Sequence, residues 1–217
     1  PFRFCAGVCA TYHRVMERAV IGFGEAGSTF AGAAAWGSET RGYDTASVTF
    51  AGITGCATNA EAISEAAEIL SLVTADQALI AAQETAETIS NGALFFDMNS
   101  VAPDTKREAA TVIEAAGGRY VDVAIMASVN PQRLDVPLLV SGPHAEAGAA
   151  ALAAMGFTNV RNVGDAVGRA STIKMLRSVM YKGVEAQTAE RMQACEKAGV
   201  TDEVLDSFYN DWPTGVD

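Results

Sequence analysis

The sequence predicts an α/β fold: a doubly wound, mainly parallel sheet, then a long helix that opens a second, all-helical domain. Three observations predict it. Short apolar runs alternate with helical patterns from residue 19 to about residue 163, as expected for parallel strands joined by crossover helices. The first run, Ala19-Val20-Ile21, ends directly in Gly22-Phe23-Gly24-Glu25-Ala26-Gly27, a Gly-x-Gly-x-x-Gly turn. Beyond Gly164 the strand pattern stops. From residue 167 to residue 197 only isolated glycines interrupt a helical pattern, about 31 residues or roughly 45 Å long.

The glycine turn carries the most chemistry. Gly22 permits a tight turn out of the strand, and Gly24 lets backbone approach a pyrophosphate with no Cβ in the way. Gly27 lets the following helix, expected over residues 28–36, pack closely on the sheet. The helix start offers unpaired N–H groups and its positive dipole end to phosphates. Arg41-Gly42-Tyr43-Asp44 reads as the second strand and ends in an acid about 20 residues beyond the first glycine. Strand, turn, helix and acid together read as a Rossmann-type dinucleotide site. Asp44 would hydrogen-bond a ribose 2′-OH and repel a 2′-phosphate, which favours NAD, with NADP as the alternative.

A long loop follows strand two, and Thr58-Asn59-Ala60-Glu61 caps a helix expected to reach about residue 67. Residues 68–73 read as a buried strand. Residues 74–89 are helical, with Leu79, Ile80 and Ala86 near a 3.6 period. An apolar strand at 93–97 precedes a helix at 103–116 that starts on Pro103 and stops at Gly117-Gly118. Residues 119–125, 136–141 and 158–163 complete the strands, with a helix at 143–155 between the last two. Residues 202–209 supply one more helix. The expected organisation is an irregular extension at 1–15, a dinucleotide-binding domain at 16–164, and an interdomain helix with the start of a helical domain at 165–217.

The 217 residues can bury a full core, and 49% hydrophobic with 19% charged residues is an ordinary globular balance. Fifteen Lys+Arg against 26 Asp+Glu leave a net charge of −11. Such a chain repels nucleic acid and anionic membranes, so a small-molecule role is expected. No apolar run approaches the roughly 20 residues needed to cross a bilayer. Cys5, Cys9, Cys56 and Cys195 lack metal-ligand spacing, so no metal is expected and the cysteines read as reduced thiols of a cytoplasmic enzyme. Two histidines, His13 and His144, give no support to a Ser-His-Asp triad. His144 reads as a surface or helix-start residue.

Lys174 is the stronger candidate for proton transfer. Lys174, Arg177, Ser178 and Tyr181 stand at i, i+3, i+4 and i+7 and share one helix face, beside an apolar stripe of Ile173, Leu176, Val179, Met180 and Val184. A solvated face is the plain alternative. A lysine desolvated after the nucleotide fold would serve as a general acid or base.

The chain resembles the β-hydroxyacid dehydrogenase superfamily, which contains 3-hydroxyisobutyrate and 6-phosphogluconate dehydrogenases, and within it a branch whose C-terminal helical domain has no known function. Four stations carry the resemblance: Gly22–Gly27, Asp97-Met98-Asn99-Ser100-Val101-Ala102-Pro103, Tyr120-Val121-Asp122-Val123-Ala124, and Gly164-x3-Gly168-x5-Lys174. The resemblance implies hydride transfer between a nicotinamide and the carbinol carbon of a 3-hydroxy acid, with Lys174 handling the hydroxyl proton. It implies that Val73 and Thr74 line the nicotinamide side, that Asn99 and Ser100 touch substrate or the nicotinamide ribose, and that Met126, Ala127 and Ser128 lie where the carboxylate binds. It also implies a homodimer formed through the helical domain.

Three positions depart from the family pattern. Ser178 stands where many relatives carry an amide, Met126-Ala127-Ser128-Val129 where they carry Ser-Gly-Gly, and Asn99 where they carry Ser. Arg177 could replace the missing carboxylate donors with a bidentate pair. Imine reductases resemble this fold but usually lack the lysine. The family's helical domain continues well past Trp212, so the chain reads as a fragment. A cofactor-binding protein or fragment without turnover, or an imine reductase-like enzyme, is therefore the alternative function.

Overall fold

The computed structural model describes residues 18–211; Cys5, Cys9, His13 and the expected extension at 1–15 lie outside the described residues. The structure divides into two units, the first ending at Thr172 and the second beginning at Ile173.

The first unit contains strands β1 (Arg18–Ile21), β2 (Thr40–Tyr43), β3 (Thr54–Gly55), β4 (Glu68–Ser71), β5 (Leu94–Asp97), β6 (Arg119–Ile125), β7 (Leu138–Ser141) and β8 (Val160–Asn162). They form one sheet in the order β3-β2-β1-β4-β5-β6-β7-β8. β1 pairs in parallel with β2 on one side, Ile21 opposite Tyr43, and with β4 on the other, Ile21 opposite Ser71. The chain therefore leaves β1 outward to β2 and β3, then crosses back to β4. That reversal opens a crevice at the carboxyl ends of β1 and β4, where doubly wound sheets bind ligands. Only β7 among these strands runs antiparallel to its neighbour β6, with Asp122 opposite Ser141.

Residues alternate between the two faces of each strand, and helices cover both faces. In β5, Leu94 and Phe96 point into one core layer and Phe95 into the other. The first layer joins Phe30 of α1 (Glu25–Ala34) to Leu152 of α6 (Ala145–Ala154), with Phe30 edge-on to Phe157 at 5.0 Å between ring centroids. The second packs α2 (Asn59–Ile63), α3 (Ala78–Ala86) and α4 (Pro103–Ala115) through Ile63, Ala82 and Ile113. Phe95 is fully buried, so truncating it to Ala would cost about 3–5 kcal/mol.

Several boundaries differ from those the sequence predicts. α1 starts at Glu25, three residues early, because Ser28 N already donates to Gly24 O at 3.0 Å. α2 has the expected Thr58 cap, its side chain accepting from Glu61 N at 3.1 Å, but ends at Ile63 because Glu65 turns the chain with φ +64°. α3 begins at Ala78 after a turn closed by Gln77 N to Thr74 O. β3 lies in the stretch expected as loop, and two residues give no period to read. A short α5 (Val129–Gln132) and a 3-10 turn (Arg133–Asp135) were likewise unexpected. His144 is the N-cap of α6, with Nε2 3.3 Å from Glu114 Oε1.

α7 spans Arg169–Ala198, 30 residues against the expected 31, and only its first turn belongs to the first unit. The second unit comprises the rest of α7 and α8 (Thr201–Asp211). Leu176, Val179, Met180, Val184 and Phe208 are exposed on these helices. Among the described residues no helix is long and apolar enough to cross a membrane.

Candidate dinucleotide site

The turn after β1 has the geometry its glycines require. Gly22 has φ +91°, and a Cβ there would stand 2.4 Å from Leu72 O and 2.9 Å from Val73 N. A side chain is therefore excluded twice, by backbone conformation and by space. Gly24 is the opposite case, since nothing lies within 4 Å of where its Cβ would be. The gap faces solvent at the N-cap of α1, where the first-turn N–H groups of Glu25, Ala26 and Gly27 precede the first intrahelical bond. A Cβ on Gly27 would meet Gly22 O at 2.4 Å, so this glycine seats the helix against the turn. These features fit a pyrophosphate on α1.

Asp44 stands just past β2, and its two oxygens have separate tasks. Oδ2 accepts from Phe23 N at 2.6 Å and Oδ1 from Ala46 N at 2.8 Å. The carboxylate thus fixes both the glycine turn and the loop leaving β2, while an acceptor lone pair on each oxygen remains for a ribose hydroxyl. Phe23 is buried against Phe50 at 5.0 Å between ring centroids, which holds that turn from the other side. Beside Asp44 lies a cleft of about 160 Å³ lined by Gly22, Gly24, Thr45, Val73, Thr74 and Ile80, among others. Glu84 also lines it, and among the described residues no lysine or arginine does. Arg41 is directed away and donates to Ser64 O at 2.8 Å. Hydrogen bonds from Thr74 and Gln77 hold the Asp76 carboxyl below the usual carboxylate range at the cleft margin.

Asn99, Ser100, Met126, Ala127 and Ser128 follow β5 and β6 at the same carboxyl edge of the sheet, outside the lining of that cleft. Ser100, Ala127 and Ser128 are exposed, and Met126 N donates to Pro137 O. Asn99 is buried, with both ends of its amide engaged inside the protein: Oδ1 accepts from Val73 N at 2.8 Å, and Nδ2 donates to Asp97 Oδ1 at 2.9 Å and Ser71 Oγ at 3.0 Å.

Behind Asn99 lies a buried polar network that the sequence did not reveal. Lys106 Nζ donates to Asp97 O at 2.6 Å and Asp97 Oδ1 at 2.9 Å, and sits 3.5 Å from Asp122 Oδ1. Tyr120 OH donates to Asp97 Oδ2 at 2.7 Å. Burial, reinforced by the Asp97 charge, pushes that phenol well above its ordinary value. Asp122 Oδ2 accepts from Ser141 Oγ, Gly168 N and Ser171 N, which ties the first turn of α7 to the sheet.

On α7, Arg177 stacks over the Tyr181 ring at 4.7 Å, so these two residues share a face as the spacing predicts. Lys174 and Ser178 are half-buried on the same helix. Sequence reasoning missed the cleft residues Gln77, Ile80, Ala81 and Glu84. Their i, i+3, i+4, i+7 spacing is a signal, but one that any helix face carries. Ile80, grouped by its period with Leu79 and Ala86, is 45% exposed and faces the cleft instead of the core. Cys56 is half-buried away from the cleft, and burial raises its thiol above the ordinary value.

A switch-point cleft, a glycine turn free of Cβ where phosphate would sit, and an acid at the end of the second strand define a doubly wound dinucleotide-binding protein. The chain belongs to the family of the NAD-binding domain of 6-phosphogluconate dehydrogenase, whose match covers residues 17–164. This places it in the β-hydroxyacid dehydrogenase superfamily. It is 37% identical to a conserved hypothetical protein from Sinorhizobium meliloti 1021, covering 93% of this chain and 72% of that one with a TM-score of 0.79. It is 29% identical to a conserved protein of unknown function with structural similarity to 3-hydroxyacid dehydrogenases, covering 89% of this chain and 75% of that one with a TM-score of 0.75. A curated relative, an uncharacterized 28.5 kDa protein in the 7S RNA 5′ region of Methanothermus fervidus, is 30% identical over 138 residues. Those residues are 64% of this chain and 51% of the relative, so the chain spans about half the length of that curated relative.

Proposed function

We propose that this chain is the cofactor-binding portion of an NAD(P)-dependent oxidoreductase that acts on a small 3-hydroxy acid. The observation that carries the reading is the Phe23–Asp44 hydrogen bond, which joins the glycine turn to an acid beside the switch-point cleft. When bound, the nicotinamide would accept or supply a hydride at the substrate's carbinol carbon. In the oxidising direction the carbinol C–H bond breaks, the hydroxyl proton passes to the Lys174 amine, and a carbonyl forms. In the reducing direction Lys174 returns that proton.

Other residues take supporting roles in this reading. Val73 and Thr74 line the nicotinamide side through their backbones, and Ser100 touches substrate or the nicotinamide ribose. Met126, Ala127 and Ser128 are the proposed carboxylate contacts after β6, and Arg177, Ser178 and Tyr181 the proposed substrate contacts on α7, Arg177 as a bidentate donor. The family match supports the cofactor, and the order of the four sequence stations supports Lys174.

A fluorescence titration with NADH and NADPH, followed by a dehydrogenase screen of 3-hydroxy acids, tests the proposal. Cofactor-dependent turnover of at least one 3-hydroxy acid is expected. Tight cofactor binding without turnover of any of them would overturn the enzymatic reading and leave a cofactor-binding protein.

A further inference from the structure

Lys106 is fully buried between two aspartates. A fold does not need such a charge there, since a buried ion pair can often be replaced by apolar side chains of similar volume without loss of stability. The direction of the hydrogen bonds leading away from Lys106 is informative. Asp97 Oδ1 accepts from Lys106 Nζ at 2.9 Å, from Asn99 N at 3.0 Å and from Asn99 Nδ2 at 2.9 Å. An ionised carboxylate only accepts, so the NH₂ end of the Asn99 amide must face it. Asn99 Oδ1 is thereby directed to Val73 N, 2.8 Å away. A flipped amide would set two donors against each other at Val73.

Val73 is the point where this chain of bonds reaches the cleft. It follows the last ladder contact of β4, Leu72 N to Ile21 O at 2.7 Å, and its backbone packs directly on Gly22. Both residues line the cleft. Moving the Val73 backbone therefore moves the wall against which the glycine turn is seated.

We propose that Lys106 is a positioning residue of the dinucleotide cleft, acting through Asp97 and the Asn99 amide on the Val73 backbone. The inference rests on reading the cleft as the cofactor site. It assigns Asn99 a role inside the protein, with its effect on the cofactor passed through Val73.

Two variants test it. Asp97→Leu/Lys106→Met removes the Asp97–Lys106 pair and with it the cation beside the buried Asp122, and Asn99→Ala removes the latch while leaving the pair in place. For each, three quantities are measured: the NADH dissociation constant, the thermal midpoint, and amide exchange at Val73 in cofactor-free protein. The expected result is about tenfold weaker NADH binding in both variants and Val73 exchange at least tenfold faster, under conditions where each variant is fully folded. If the double variant fails to fold, Asn99→Ala alone decides. NADH binding within twofold of wild type in a folded variant, or unchanged Val73 exchange, would overturn the proposal. The exchange measurement needs no cofactor, so failure of wild-type protein to bind NADH would refute the cofactor reading and with it the proposal, whereas a latch failure would show in exchange alone.

Discussion

The backbone N–H of Phe23 donates to Asp44 Oδ2 at 2.6 Å, so the acid that closes the second strand also holds the glycine turn that follows the first. One carboxylate thus sets the shape of the glycine turn and contributes charge to the cleft beside it. Both consequences can be measured.

NAD should bind more tightly than NADP. Asp44 and Glu84 are the charged residues lining the cleft, and a 2′-phosphate placed beside them would meet like charge with no cation among the described lining residues to offset it. Fluorescence titration should show NADH favoured over NADPH by about tenfold or more, a difference of about 1.4 kcal/mol. Asp44→Ala should narrow the preference. Tighter binding of NADPH by wild-type protein would refute this.

The glycines at 22 and 24 should separate folding from binding. Gly22→Ala forces a side chain into Leu72 O and into an unfavourable φ, so it should lower the thermal midpoint sharply. Gly24→Ala meets open space and should leave the midpoint within a few degrees while weakening NADH binding. Equal NADH affinity in Gly24→Ala and wild type would mean that no phosphate approaches there.

Much of this was legible in the sequence because it depends on local rules. The Gly22–Gly27 turn, the Thr58 cap, the Pro103 helix start and the span of β6 follow from residue type and spacing. What escaped depends on three-dimensional neighbours. β3 has two residues, and it forms because Gly42 and Gly55 leave room for the Phe50 ring between them. Lys106 is one of several charges on a helix that begins Pro-Asp-Thr-Lys-Arg, and only the fold shows that it points inward to Asp97 and Asp122 while Arg107 points outward. Likewise the pairing of the Asn99 amide with Val73 N is a contact 26 residues apart, which no local pattern reveals.

Alkaline stability should report the buried phenol. Burial and the Asp97 charge raise Tyr120 well above 10, whereas in the unfolded chain it ionises at about 10. Above about pH 10 the unfolded state therefore binds fewer protons than the native state, and stability falls as pH rises. The contribution is fully present below that pH and lost as pH climbs toward the native value. Tyr120→Phe should lose about 1.5–3 kcal/mol at neutral pH, from the bond to a charged acceptor, and should show a shallower decline between pH 9 and 11. Parallel declines in urea titrations of the two proteins would refute the assignment.

The helical part should associate. Leu176, Val179, Met180 and Val184 lie exposed along α7, and Val204 and Phe208 along α8. A stripe of this kind marks an interaction surface. Light scattering should give the mass of a homodimer at micromolar concentration, and Val179→Lys/Met180→Lys should shift it toward the monomer. A wild-type monomer across that range would count decisively against association.

Lys174 should be the proton-transfer residue of any turnover found. The proposal rests on its position after Gly164 and Gly168 and on the helix face it shares by spacing with Arg177, Ser178 and Tyr181, where the Arg177–Tyr181 stacking shows that the spacing holds. Lys174→Ala should leave NADH affinity nearly unchanged, because the proposed dinucleotide contacts are those of the Gly22–Gly27 turn and Asp44. It should lower kcat by about 10²–10⁴-fold, the range for losing a general acid or base. Lys174→Arg should fail similarly, because a guanidinium stays protonated and cannot accept the hydroxyl proton. Arg177→Ala should instead raise KM with a smaller effect on kcat, since its proposed task is to hold the substrate carboxylate in ground and transition states alike. Wild-type kcat in Lys174→Ala on the best substrate found would reduce Lys174 to a cation on a helix surface and remove the proposed mechanism.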